Sequence, residues 1–226
     1  RFLHSNILGV QNLLELIRAK RHYEMPVLLQ VSTDEVYGDL KEGVHKASDA
    51  LKPSNPYSAS KASADMLIMA WHRTHGVPYM IARPTNNYGL GQYPEKLIPK
   101  AVKHLALGKK IPLHGDGTCR RNWLHVSDTA DALITVIEKG KTAAIYNISG
   151  GSEHANREVI KHVLKAYFGR STPLEAHVKF AYVRQGEDVR YGVDDSALRA
   201  LGWKNRRVFE KEIPAIVRYY KNKVVW

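Results

Sequence analysis

Pro26-Val27-Leu28-Leu29-Gln30-Val31-Ser32-Thr33-Asp34-Glu35-Val36-Tyr37-Gly38 runs from a short apolar stretch into two adjacent carboxylates. The apolar part suits a strand buried on both faces of a parallel sheet. A polar, proline-rich loop follows and ends at Pro53-Ser54-Asn55-Pro56. From Tyr57 to about His75 the spacing predicts a helix, with Ala59, Ala62, Met66, Met69 and Ala70 on its apolar side. Gly76 supplies a stop, and Tyr79-Met80-Ile81-Ala82 reads as a second buried strand. Strand, helix, strand in this order implies a right-handed βαβ unit of an α/β fold.

Outward from that unit the pattern continues. Upstream, Ile7, Val10, Leu14 and Ile17 recur at helical spacing. Downstream, a helix is expected over residues 95–107, with short strands over 111–114 and 123–126 around the turn Gly115-Asp116-Gly117. Ser127 or Asp128 is expected to cap a helix over 129–139. A strand is expected over 144–148 and a helix over 158–168. Asp195 is expected to cap a helix ending before Gly202, and a last helix covers 209–220.

Two sets of residues can carry chemistry. Tyr57 and Lys61 lie four apart, hence on one helix face. Free tyrosine, with a pKa of about 10, is too weakly acidic to serve as a base at neutral pH. A neighbouring ammonium stabilises the phenolate, which would fit the pair to take a proton from an alcohol being oxidised. The same spacing alone also describes an ordinary exposed helix face. Asp34 and Glu35 follow the C-terminal end of the first strand, the side on which open α/β sheets bind ligands. Neighbours on a regular strand point to opposite faces, so both can reach one ligand only if the backbone leaves strand geometry near Thr33. One carboxyl protonated and one ionised would make an acid and a base; a solvated acidic loop has the same residues.

Composition is that of a globular protein, 44% hydrophobic and 25% charged. No apolar run is long enough for a transmembrane helix, so no membrane partner is expected. The single cysteine, Cys119, excludes an internal disulfide framework and, with no signal-peptide pattern at Arg1, points to the cytoplasm. The net charge of +12, from 34 Lys+Arg against 22 Asp+Glu, fits either an anionic partner or a solubilising surface. Lys204, Arg206, Arg207, Lys211, Arg218, Lys221 and Lys223 concentrate it late in the chain, without the interleaved aromatics of a nucleic-acid motif. Nucleic acid is therefore not the expected partner.

Thr33-Asp34-Glu35-Val36-Tyr37-Gly38, Asn55-Pro56-Tyr57-Ser58-Ala59-Ser60-Lys61, Arg83-Pro84-Thr85-Asn86-Asn87-Tyr88-Gly89 and Pro94-Glu95-Lys96-Leu97-Ile98-Pro99 stand in one order. In that order the sequence resembles the extended short-chain dehydrogenase/reductase family, and within it the NDP-glucose 4,6-dehydratases, over essentially all 226 residues. The resemblance implies part of an NAD-binding Rossmann domain in residues 1–90, with a segment near 120–148 returning to it, and a nucleotide-sugar-binding α/β domain in 91–226. It implies dehydration of dTDP-glucose to the 4-keto-6-deoxy sugar; UDP-glucose as substrate, or a non-catalytic binding subunit, are the alternatives.

By the same resemblance Tyr57 takes the proton of the sugar 4-hydroxyl and Lys61 holds the nicotinamide ribose. Glu35 takes the C5 proton, Asp34 protonates the departing 6-hydroxyl, and Thr33 hydrogen-bonds the 4-oxygen. Ser5 and Asn87 fall on cofactor positions. Asn86, Lys96, Leu97, Pro112, Leu113, His114, Arg121, Asn156, Arg184 and Asp188 fall on positions contacting the nucleoside-diphosphoglucose. Asn122, Gln185 and Glu187 depart from the family's usual residues, and the last two put the grip on the nucleotide in question. No glycine-rich phosphate turn is present, so about 80 to 100 further family residues are expected ahead of Arg1. A homodimer is expected through a four-helix bundle made by the helices around residues 7–17 and 57–69.

Overall fold

The computed structural model of the chain describes residues 2–181 and 188–223. A π-helical turn, Leu3–Leu8, leads into α1 (Gly9–Arg18), then β1 (Leu28–Val31), a 3-10 turn Asp34–Tyr37, α2 (Pro56–His75) and β2 (Tyr79–Pro84). After these come β3 (Asn86–Tyr88), α3 (Leu97–Ala106), β4 (Ile111–His114), β5 (Arg120–His125) and α4 (Val126–Lys139). The rest is β6 (Ala144–Ile148), β7 (Ser152–Ala155), α5 (Asn156–Phe168), α6 (Leu174–His177), β8 (Val178–Ala181), α7 (Ser196–Arg199) and α8 (Phe209–Asn222). No helix among the described residues is long and apolar enough to cross a membrane.

The chain forms two compact units. One comprises the chain up to Thr85 with Thr129–Ser149 and Tyr191–Lys204; the other holds Asn86–Asp128, Gly150–Arg190 and the chain from Asn205 on. The resemblance implied a change near residue 90 and one return near 120–148; the return covers Thr129–Ser149, with Arg120–His125 in the other unit, and Tyr191–Lys204 is a second return.

In the first unit a parallel sheet runs β1-β2-β6. Leu28 to Val31 align with Tyr79 to Ala82, and Met80 to Pro84 with Ala144 to Ile148. This is the expected βαβ unit extended by one strand. Val10, Leu14 and Ile17 of α1 share one stripe and pack with Ala64, Ile68 and Trp71 of α2 and with Val77, Tyr79 and Ile81. The start of α2 is fixed by a capping box: Asn55 Oδ1 accepts from Ser58 N at 3.0 Å, and Ser58 Oγ accepts from Asn55 N at 3.3 Å. Pro56 occupies the first turn, where its missing N–H costs nothing. Gly76 ends the helix in the left-handed region, at φ 71°, as expected.

The second unit has a β3-β5-β7 sheet and a parallel β4-β8 pair. Its core joins Ile98, Ala101 and Val102 of α3 to Val159, Ile160 and Val163 of α5 and Phe209, Ile213 and Ile216 of α8. Two capping expectations turn out differently. α4 begins at Val126, so Asp128 lies inside its first turn, and its buried carboxylate accepts the backbone N–H of Arg206 at 3.1 Å and of Arg207 at 3.0 Å. Asp195 makes no cap hydrogen bond and instead holds Arg199 through two bonds of 2.7 and 2.9 Å. For Asp195 a charged guanidinium is the stronger partner than the helix end.

Candidate active site

The first unit gathers Thr33, Asp34, Glu35, Tyr57 and Lys61. At the end of β1 the chain leaves strand geometry, as two neighbouring carboxylates require. Thr33 is the last extended residue, and its Oγ1 accepts from Glu35 N at 3.3 Å and donates to Asp34 Oδ1 at 3.2 Å. Asp34 and Glu35 therefore open a 3-10 turn, Asp34 buried and Glu35 partly exposed. Gly38 closes it at φ 82°, where a Cβ would run into the Lys52 carbonyl.

Tyr57 and Lys61 sit in the first turns of α2, both half-buried. Lys61 Nζ donates to the Val31 carbonyl at 2.6 Å, so the lysine is tied to the end of the strand that carries Asp34 and Glu35. Burial lowers the Lys61 pKa, against the nearby charge of Asp65, which raises it. The expectation that Lys61 depresses the tyrosine pKa is not met. Burial raises the Tyr57 pKa above its usual value, and the charges of Glu35 and then Asp34 raise it further. Burial is the larger cause, and the charges of Glu35 and Asp34 add to it. The two motifs thus lie near enough for the Glu35 and Asp34 charges to act on Tyr57.

Beneath the turn runs a buried polar chain. Ser32 Oγ donates to Asp65 Oδ2 at 2.9 Å, and Arg83 Nε donates to the same oxygen at 3.0 Å. Arg83 Nη1 donates to Tyr37 Oη at 2.7 Å, and Tyr37 Oη donates to Asn147 Oδ1 at 2.8 Å. Ser32 and Tyr37 flank Thr33-Asp34-Glu35, so the network pins both ends of the turn. Sequence reasoning missed Asp65, Arg83 and Asn147. Two signals were available: Arg83 is a charge within the buried strand run, and Asp65 lies four residues after Lys61.

Ser5 is exposed on the π-helical turn. Its neighbour Asn6 donates to Ser60 Oγ at 2.9 Å, and Phe2 meets Tyr57 edge-on at 5.6 Å, so this turn packs on the start of α2.

The second unit holds the other candidates. Asn86 lies on β3 with a buried Oδ1 that has no hydrogen-bond partner. The Asn87 carbonyl accepts from Gln92 Nε2 at 2.7 Å. Lys96 and Leu97 start α3; Lys96 is exposed and pairs loosely with Glu95 at 3.4 Å. On β4, Pro112 and His114 are half-buried, but Leu113 is 2% exposed and belongs to the core. Alternation along the strand sends Leu113 inward, so its side chain is not available to a ligand as expected. Arg121 rests its Nη1 on the carbonyls of Arg120 at 2.7 Å and Val189 at 3.4 Å. Asn156 begins α5, its N–H on the Cys119 carbonyl at 3.0 Å. Asp188 is buried. Glu153 takes Arg120 Nε at 2.6 Å and Arg190 Nε at 2.9 Å, which places an arginine cluster beside Arg121. Arg184, with Gln185 and Glu187, lies outside the described residues.

Comparison with known proteins bears on this arrangement. Residues 1–215 match the family described as GDP-mannose 4,6 dehydratase. A dTDP-glucose 4,6-dehydratase of Streptomyces niveus is 39% identical over 226 residues, 100% of this chain and 65% of that protein. The chain belongs to the nucleotide-sugar 4,6-dehydratase family of extended short-chain dehydrogenases/reductases. A low-salt glycan biosynthesis protein of Haloferax volcanii is 40% identical over 97% of this chain and 68% of its own length. The crystal structure of dTDP-glucose 4,6-dehydratase from Bacillus anthracis in complex with NAD superposes with a TM-score of 0.88 at 38% identity, covering 98% of this chain and 69% of that one. The chain thus spans about two thirds of the length of these relatives. The parallel β1-β2-β6 sheet is the Rossmann part of this family's fold.

Proposed function

We propose that the protein dehydrates dTDP-glucose to dTDP-4-keto-6-deoxyglucose, with NAD as cofactor. The observation that carries this reading is the joining of Thr33-Asp34-Glu35 to Tyr57 and Lys61. Lys61 is bonded to the end of β1, and the Asp34 and Glu35 charges act on Tyr57. A redox tyrosine alone serves many oxidoreductases; a tyrosine beside an acid and a base serves oxidation and elimination on one substrate.

The residues present suit the nicotinamide end of the cofactor. Lys61 offers an ammonium at the C-terminal strand end, where such ligands bind. NAD, when bound, supplies a hydride acceptor for C4 and later the hydride donor for C6. Tyr57 takes the proton from the 4-hydroxyl, with Thr33 Oγ1 as hydrogen-bond partner to that oxygen. The 4-ketone acidifies the C5 hydrogen, and Glu35, the more exposed carboxylate, removes it. Asp34 donates a proton to the 6-hydroxyl, which leaves as water. Ser5 and Asn87 take cofactor contacts. In the second unit Asn86, Arg121, Asn156, Arg184 and Asp188 take the diphosphate side, and Lys96, Leu97, Pro112 and His114 the rest of the nucleotide. Leu113 contributes backbone only. Arginine suits this work because its planar fork matches phosphate oxygens.

The relatives named for dTDP-glucose favour thymidine over uridine as the base. We further place the protein in the cytoplasm as a homodimer. The exposed faces of α1 and α2 support the second point: Leu13, Leu16 and Met66 face outward while the opposite stripes are buried. The deciding experiment is incubation of NAD-loaded protein with dTDP-glucose or UDP-glucose and detection of the 4-keto product by its absorbance in alkali. Product from dTDP-glucose is expected; its absence from both reactions would sink the enzymatic reading.

A further inference from the structure

His154 on β7, His162 on α5 and Glu210 in the first turn of α8 come together in the second unit, and the dehydratase chemistry uses none of them. His154 Nε2 is 3.4 Å from Glu210 Oε1. One ligand-type atom from each of the three residues lies within 4.8 Å of the other two. The imidazoles are 5.7 Å apart edge to face, and both pack on Phe209, at 4.6 and 5.8 Å. Phe209 is itself fully buried among Tyr88 and Trp123, so it gives the two rings a fixed floor. His154 Nε2 is buried and makes no hydrogen bond, although Glu210 lies within ion-pair range. The His154 side chain is 16% exposed and that of Glu210 48%, so the cluster is closed on one side and open to water on the other.

We propose that His154, His162 and Glu210 form a binding site for a divalent transition-metal ion of the zinc type. Two imidazoles and one carboxylate are the donor set such ions favour, whereas magnesium and calcium take mainly oxygen donors. Tetrahedral zinc with bonds of about 2.0–2.1 Å holds its ligand atoms about 3.3 Å apart. The His154–Glu210 separation already has that span. His162 brings its ligand atom within 4.8 Å of the other two, so a ring movement closes the set, and water takes the fourth place. The ion would join the first turn of α8 to β7 and α5, so its consequence is on the stability of this unit.

The test needs no enzymatic activity. Zinc is titrated into the protein in competition with a chromophoric chelator, and cobalt is titrated separately for its visible spectrum. One zinc per chain is expected, together with a rise in the unfolding midpoint. Affinity should fall by more than about tenfold in each of His154→Gln, His162→Gln and Glu210→Gln, since each removes one of three protein ligands. Glu210→Gln changes a half-exposed side chain and keeps its shape, so it tests the site without challenging the fold. Bound cobalt should give a tetrahedral spectrum with no thiolate charge-transfer band. Three outcomes would overturn the proposal: no saturable zinc binding, affinity unchanged in the variants, or a thiolate band that moves the metal to Cys119.

Discussion

Arg83 Nε donates to Asp65 Oδ2 at 3.0 Å, with the two side chains 1% and 0% exposed. A fully buried ion pair is weak evidence for stability, since desolvation offsets most of the attraction. Here its placement explains its use. Asp65 also accepts from Ser32, and Arg83 also donates to Tyr37, the residues on either side of the Thr33-Asp34-Glu35 turn. Burial raises the Asp65 pKa, opposed by Arg83 and by the Ser32 hydroxyl. Breaking the pair by Arg83→Met strands a buried carboxylate and should cost about 3–5 kcal/mol in chemical denaturation. Ser32→Ala removes only one hydrogen bond to that carboxylate and should cost about 1–3 kcal/mol. Equal losses for both variants would mean that the pair is not the hub of the network.

The Tyr57 titration gives a second prediction. Its pKa is raised by burial, then by Glu35, then by Asp34. Glu35→Gln removes a negative charge that disfavours the phenolate, so the Tyr57 midpoint should move down. The sign follows because a like charge opposes the ionised form of an acid. Ultraviolet titration of tyrosinate, with Tyr57→Phe to identify the signal, reads this in ligand-free protein. An unchanged midpoint in Glu35→Gln would separate the two motifs and remove the main support for a shared site. In NAD-loaded protein, Tyr57→Phe should slow turnover by about 10²–10⁴-fold, the usual contribution of general acid–base catalysis.

The β strand at Leu28–Val31 and the helix at Pro56–His75 were legible because each has a strong local cause. The first is a short apolar run, and the second carries a capping box and a terminal glycine. The departure from strand geometry at Thr33 followed from the need to turn Asp34 and Glu35 to one side. What the sequence hid depended on distant partners. Ser152-Glu153-His154-Ala155 carries no apolar alternation, and it becomes a strand because β5 lies beside it in antiparallel register. Asp128 has the residue type of a helix cap, yet α4 starts ahead of it and its carboxylate serves amides 78 and 79 residues away. The orientation of Leu113 was hidden for the same reason: its neighbours on α3, α5 and α8 decide which face of β4 is inside.

That orientation can be tested against His114. Leu113 is 2% exposed within the core, while His114, next along β4, is half-buried on the other side. Leu113→Ala should leave a cavity and cost about 2–5 kcal/mol of stability. His114→Ala should change stability little and raise KM for dTDP-glucose, since the proposed role of the ring is to stack on the base. Substrate affinity and unfolding, measured on both variants, should therefore respond in opposite patterns. If Leu113→Ala folds normally and only KM rises, the leucine side chain reaches the ligand after all.

The helix faces left exposed by the first unit set the last prediction. Leu13, Leu16 and Met66 are 49%, 66% and 59% exposed, although Val10, Leu14, Ile17 and Ile68 on the same helices are buried. Thus α1 carries a second, outward apolar pair, and α2 an outward methionine. In a dimer, α1 and α2 of both copies would cover these side chains as four helices, removing apolar area worth about 25 cal/mol per Å² from water. Replacing Leu16 and Met66 together by glutamate puts charges at the centre of that contact and leaves the internal core untouched. Light scattering should show a dimer for the unaltered protein and a monomer for the double variant, with unchanged far-ultraviolet circular dichroism. A protein that is monomeric at micromolar concentration before any substitution, or a double variant that stays dimeric, would rule out this face as the contact.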